Sequence, residues 1–209
     1  MTPRRGSRSA RLAAAIYAAG DLEGCISECN EALALDANCA IAHGVKGGAL
    51  VFAGRREEGR VSLRISLRLN PRDPARASRS HNIALSYYLD GNYEVAVEAC
   101  RDVIRRHQGS VATYRFLLAS LGQLGRQAEC EALVKIAPPD YDHYACHRPP
   151  CFGLKDFEHM PEGLRKGWLV GVASRGKQGI GRERWLGVTK SIQTGSQARQ
   201  TTGHKRCSG

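Results

Sequence analysis

A chain of 209 residues has room for one ordinary domain and a tail. Its 42% hydrophobic content can fill a core, but 6% aromatic residues suit helices packed through Ala, Leu and Val better than a β-sandwich, and no apolar run approaches the roughly 18 residues that span a bilayer. The net charge of +11 is concentrated at one end: from Arg165 onward ten Lys and Arg face Glu183 alone, which leaves the body at +2 and argues against a basic nucleic-acid-binding face on it.

In chain order, Thr2 to Arg11 is polar and carries four arginines, so no secretory h-region follows Met1. Next come Gly20, Gly54, Gly91 and Gly125, spaced 34, 37 and 34 residues apart, each at the same point of a repeating helical pattern. A period near 34 is the signature of stacked helix–turn–helix units. With each glycine at position 15 of a unit, the units run 6–39, 40–73, 77–110 and 111–140.

Position 8 then holds Ala13, Gly47, Ala84 and, less well, Leu118, and position 20 holds Cys25, Gly59, Ala96 and Cys130. Small residues at these two places let a unit's two antiparallel helices approach closely. Larger ones at position 11 (Ile16, Leu50, Tyr87, Leu121) and position 24 (Cys29, Leu63, Cys100, Val134) fill the flanks. The glycine at 15 is expected to close each first helix in a left-handed conformation. Position 32 stops the second helix with Pro71 in the second unit and relaxes to Ala37 in the first. Three extra residues, Pro74 to Arg76, lengthen the second inter-unit turn, and the first helix is expected to be frayed.

This pattern resembles the tetratricopeptide repeat family over about 6–140. The strongest stretches are Gly-Asp-Leu-Glu-Gly-Cys-Ile at 20–26 and Asp-Gly-Asn-Tyr-Glu-Val-Ala-Val-Glu-Ala at 90–99. The family's usual Trp at position 4 is absent, replaced by Ser9, His43, Ser80 and Tyr114. The resemblance implies an all-α, right-handed solenoid of about four helix pairs that binds a protein or peptide along its concave wall. No catalytic residues, cofactor or metal are expected. In the family, positions 2, 5, 9, 12 and 13 of each first helix face that wall. Carried over, they nominate Tyr17, Phe52, His81, Leu85, Tyr88, Arg115 and Gln123, with Asn82 alongside and Ile41, Val51 and Leu89 flanking. Such a lining suits an extended or helical segment. The carboxylate-clamping members need Lys or Asn at positions 5 and 9 of the first unit, where this chain has Ala10 and Ala14, so a clamp for a C-terminal tail is not expected.

Other constellations yield to plainer readings. His143, Cys146, His147 and Cys151 lie within nine residues but lack a Cys-x-x-Cys knuckle, so a linker is expected there and not a zinc site. Gly176, Gly179 and Gly181 follow no strand and precede no helix, which argues against a phosphate loop. Cys25 and Cys29 fall at core positions, where free thiols behave as small hydrophobes. The chain is expected to be cytoplasmic and its cysteines reduced.

After the repeats, 148–167 reads as a Pro-Pro turn and then a short capping helix with Phe157, Met160 and Leu164 on one face, which Pro161 should kink. This stretch resembles the C-terminal end of bacterial, rhizobial-type class III adenylate/guanylate cyclases that carry tetratricopeptide repeats behind the catalytic domain. The resemblance implies a regulatory or scaffolding C-terminal fragment of a cyclase-like signalling protein that lacks its catalytic domain, working beside a separate cyclase chain and without cyclase activity, because no strand-alternating pattern in 1–140 could house the catalytic aspartates. Residues 141–168 form the linker and capping helix, and 169–209 a basic tail expected to be disordered or a truncated or frame-altered ending. Nucleic acid and membrane are not expected partners, and the oligomeric state is open.

Overall fold

A computed structural model describes residues 13–107, 110–137, 160, 162–164 and 166. Among these there is no strand. The helices are α1 (13–19), α2 (Leu22–Leu35), α3 (Ala40–Phe52), α4 (Arg56–Leu69), α5 (Arg76–Leu89), α6 (Tyr93–Arg106), α7 (Val111–Gln123) and α8 (Gln127–Ile136). Met160, Glu162, Gly163, Leu164 and Lys166 are also helical.

Each odd-numbered helix ends in the same way. Gly20, Gly54, Gly91 and Gly125 have φ of 89°, 85°, 77° and 68°, the left-handed conformation that a Cβ disfavours. The amide of the next residue then reaches back to the position-11 carbonyl: Asp21 to Ile16, Arg55 to Leu50, Asn92 to Tyr87 and Arg126 to Leu121, at 2.9–3.3 Å. The glycine amide bonds the position-12 carbonyl in all four units. This pair of bonds is the Schellman motif, which satisfies carbonyls that a helix end would otherwise orphan. Asp21 also caps α2, its carboxylate accepting from the Gly24 amide at 2.9 Å. Acidic residues open α4 and α6 (Glu57, Glu58, Glu94) and basic ones close them (Arg68, Arg105, Arg106), each favourable to the helix dipole.

Within a unit, the pairs meet at the small residues. Ala13, Cys25, Ala84, Ala96 and Cys100 are fully buried. The closest approach is between α3 and α4. A Cβ on Gly47 would lie 2.9 Å from the Gly59 carbonyl, and one on Gly59 would lie 2.8 Å from the Gly47 carbonyl. Ser62 and Ser66 tie the same two helices, donating to the carbonyls of His43 at 2.9 Å and Ala40 at 2.6 Å.

Between units, α3 packs on α5 and α5 on α7, while α4, α6 and α8 meet one another marginally at most. The stack therefore curves with the odd-numbered helices on the inside. Buried ions stitch the second and third units. Arg60 of α4 is pinned by Asp90 and Glu57 and lies 4.7 Å from the centre of the Tyr87 ring. Arg79 pairs with Asp73 at 2.7 Å, with both side chains less than a tenth exposed. Arg79 also fills the space that Gly44 leaves, since a Cβ there would collide with its guanidinium. Asp73 lies in the lengthened turn, where its carboxylate accepts from the Ala75 amide and the Asn70 side chain.

Candidate partner-binding groove

The concave wall is built by α1, α3, α5 and α7, and its two halves differ. In the first half, Tyr17 of α1 and Phe52 of α3 stand with ring centres 6.0 Å apart and planes tilted by 42°. Asn82 of α5 turns toward them: a Cβ on Gly48 would meet its amide nitrogen at 3.3 Å and the Tyr17 ring at 3.7 Å. Tyr17, Phe52 and Asn82 all remain partly accessible. Two aromatic faces and an amide around a glycine floor can take an apolar side chain and orient the backbone that carries it.

The second half is closed. Leu85 and Tyr88 are 1% and 0% exposed, and Arg115 is buried as well. Tyr88 packs its ring 5.6 Å from both Tyr93 and Phe116. Burial raises its pKa, opposed by a hydrogen bond from the Gln123 side chain. His81 stands beside this cluster, its Nδ1 2.9 Å from Thr113 Oγ1 and its ring 5.4 Å from Phe116. Enclosure by these neighbours, and then the positive charge of Arg115, lowers the His81 pKa to about 4, so the imidazole is neutral at physiological pH.

What closes the second half is the chain itself. Met160 and Leu164 are 3% and 2% exposed and belong to the same apolar cluster as Leu85, Tyr88, Phe116 and Ala119. Gly163 touches the wall directly, where a Cβ would lie 2.8 Å from both the Ala119 carbonyl and the Tyr88 hydroxyl. Lys166 donates to Gln123 Oε1 at 2.8 Å and pairs with Glu162 at 2.9 Å.

Of the nominated residues, Tyr17, Phe52 and Asn82 thus form one partly accessible cluster. Tyr88 and Gln123 touch Gly163 and Lys166, Leu85 belongs to the same apolar cluster, and His81 and Arg115 stand beside Phe116. Leu85, Tyr88 and Arg115 are buried, and Tyr88 lies directly against Gly163. Ala119 and Gly163, which make the closest contact, were not nominated. Their signal was small size at position 9 of the fourth unit, and a glycine one residue before Leu164.

Phe157 and Pro161, the His143–Cys151 cluster, the 176–181 glycines and the 169–209 tail lie outside the described residues. Among the described ones, no group of three or more His, Cys, Asp or Glu could hold a metal ion, and no helix is long and apolar enough to cross a membrane.

No protein-family model matches the chain, and no curated protein does. Solved structures do. Two crystal structures of nearly identical TPR-like repeats from a kinesin light chain-like protein of Podosopora anserina, one of them a single-residue variant, superpose with TM-scores of 0.58 and 0.56. Each is 14% identical to this chain. The matches cover 96% and 98% of it and 99% of the other protein. At that identity the likeness speaks for architecture alone, and with the four repeated glycine caps it establishes the fold: an all-α solenoid of TPR-like helix pairs.

Proposed function

We propose that the protein is a non-enzymatic interaction module that binds a peptide or partner protein along its concave wall. The observation that carries this reading is the groove's lining. Tyr17, Phe52 and Asn82 offer a partly open aromatic and amide surface, next to a stretch of the same wall that already holds an amphipathic segment. A cytoplasmic setting fits the five described cysteines, which are all free and buried. On this reading nucleic acid, membrane and cofactors play no part.

The test is affinity capture with the full chain, repeated with Phe52→Ala, with Asn82→Ala and with Val61→Ser, a change at an exposed position on α4. A specific partner should be lost with the two groove variants and kept with the third. Equal capture by all three would overturn the groove assignment.

A second reading rests on the resemblance of 148–167 to cyclase C-termini: the chain would regulate a separate adenylate/guanylate cyclase catalytic chain. Mixing the two and measuring cyclic-nucleotide formation tests it, and an unchanged rate overturns it.

A further inference from the structure

The segment seated on α5 and α7 reports what that part of the wall accepts. Gly163 comes so close to α7 that any side chain would meet the Ala119 carbonyl and the Tyr88 hydroxyl at 2.8 Å. Met160, three residues before it, and Leu164, one after, bury their side chains on either side of this contact. Lys166 extends to Gln123, while Glu162 faces solvent. The spacing is one face of a helix: apolar, then glycine at i+3, apolar at i+4 and lysine at i+6.

The segment belongs to the same chain as the wall it occupies, so its occupancy draws on the tether. Residues 138–159 separate the segment from the end of α8 in sequence, so it competes as part of the same chain at a raised effective concentration. A ligand of the same pattern, arriving in trans, has to compete with that concentration.

We propose that the concave face of α5 and α7 is a docking site for short amphipathic helices of the pattern apolar–x–x–Gly–apolar–x–Lys, and that the chain's own 160–166 segment fills it in cis until such a partner displaces it. The proposal deepens the interaction reading and rests on it. It separates the wall into a partly accessible half at Tyr17, Phe52 and Asn82 and a gated half at Tyr88, Ala119 and Gln123.

The probe is a fluorescently labelled synthetic peptide with the sequence of residues 156–168. Its binding is followed by anisotropy on the full chain and on the full-length double variant Met160→Glu, Leu164→Glu, which expels the cis segment. The peptide should bind the double variant at least tenfold more tightly than wild type. A peptide carrying Gly163→Leu should lose at least tenfold on the double variant. No binding to a double variant that keeps its helical circular dichroism and melting temperature would overturn the proposal, as would equal affinity for the two proteins; the segment would then be a fixed cap.

Should the double variant fail to fold, hydrogen exchange on wild type decides. Saturating peptide should speed exchange of the 160–166 amides, and unchanged exchange overturns the proposal. If the peptide fails while capture still depends on Phe52 and Asn82, this inference falls alone. If capture is independent of those residues too, the reading beneath it falls as well.

Discussion

His81 couples the concave wall to pH. Its ring is held by Thr113 Oγ1 and Phe116 with the Arg115 guanidinium nearby, so protonation would place a second cation in a poorly hydrated corner. Its pKa falls from 6.5 to about 4 on folding. Between those values the unfolded chain binds more protons than the folded one. Stability is therefore full above pH 6.5, declines as the pH drops and levels off below about 4. The whole shift is worth about 3 kcal/mol, and because part of the residue stays accessible a loss of about 2 kcal/mol is the better expectation. Urea denaturation at pH 7 and at pH 4.5 checks it. Wild type should lose about 2 kcal/mol more than His81→Gln over that interval, and parallel losses would contradict the assignment.

At the scale of the element, two kinds of glycine serve opposite ends. Gly91 ends α5 with φ of 77°, and nothing lies within 4 Å of a Cβ placed there. Gly91→Ala should then cost only the conformational penalty, about 1 kcal/mol, and Gly91→Asn less, since Asn tolerates that backbone. Gly59 lies inside α4, where alanine would gain about 1 kcal/mol of helix propensity. There the Cβ would meet the Gly47 carbonyl and the Val51 side chain, both at 2.8 Å. Backbone cannot yield as a side chain can, so α3 and α4 must separate, and Gly59→Ala should lose about 2 kcal/mol net. Urea midpoints compare them, and a neutral or stabilising Gly59→Ala would show that the two helices do not touch at this point.

These devices were legible in the sequence because they are local and repeated: a glycine that must turn left, and a small residue opposite another 12 positions on. The ionic stitching was not. Arg79 occupies the place of a Gly44 side chain and answers to Asp73 in a turn with no counterpart in the other units. The closed half of the groove was also hidden. The apolar face shared by Met160 and Leu164 could be read, but periodicity carries no record of where a helix returns after a long connection. The contacts of Gly163 with Tyr88 and Ala119 join parts of the chain far apart in sequence.

At the scale of the molecule, the apolar core of the described residues is not continuous. One large cluster runs from Val51 and Leu63 through Tyr88, Phe116 and Leu121 to Leu164. A smaller one joins Ala13, Cys25, Ile26 and Cys29 to Ala49 and Leu50, and a third holds Ala32, Cys39 and Ala42. The two smaller clusters consist mostly of Ala and Cys, which bury little area per residue. They meet the rest through α3, whose Gly44, Gly47 and Gly48 each weaken that helix by about 1 kcal/mol relative to alanine. The second and third units, by contrast, share the Arg60–Asp90 and Arg79–Asp73 pairs. In a linear array, stability is a sum of unit and interface contributions, so a weak interface lets one end open while the rest stays folded. The α1–α2 pair should open first. Native-state hydrogen exchange in increasing, sub-denaturing urea reads this directly: amides of α2 should lose protection at lower urea than those of α5 and α7, with an opening free energy about 2 kcal/mol or more below the global value. Simultaneous loss of protection across all the helices would instead mean that the small clusters are coupled to the large one as tightly as its own parts are to each other.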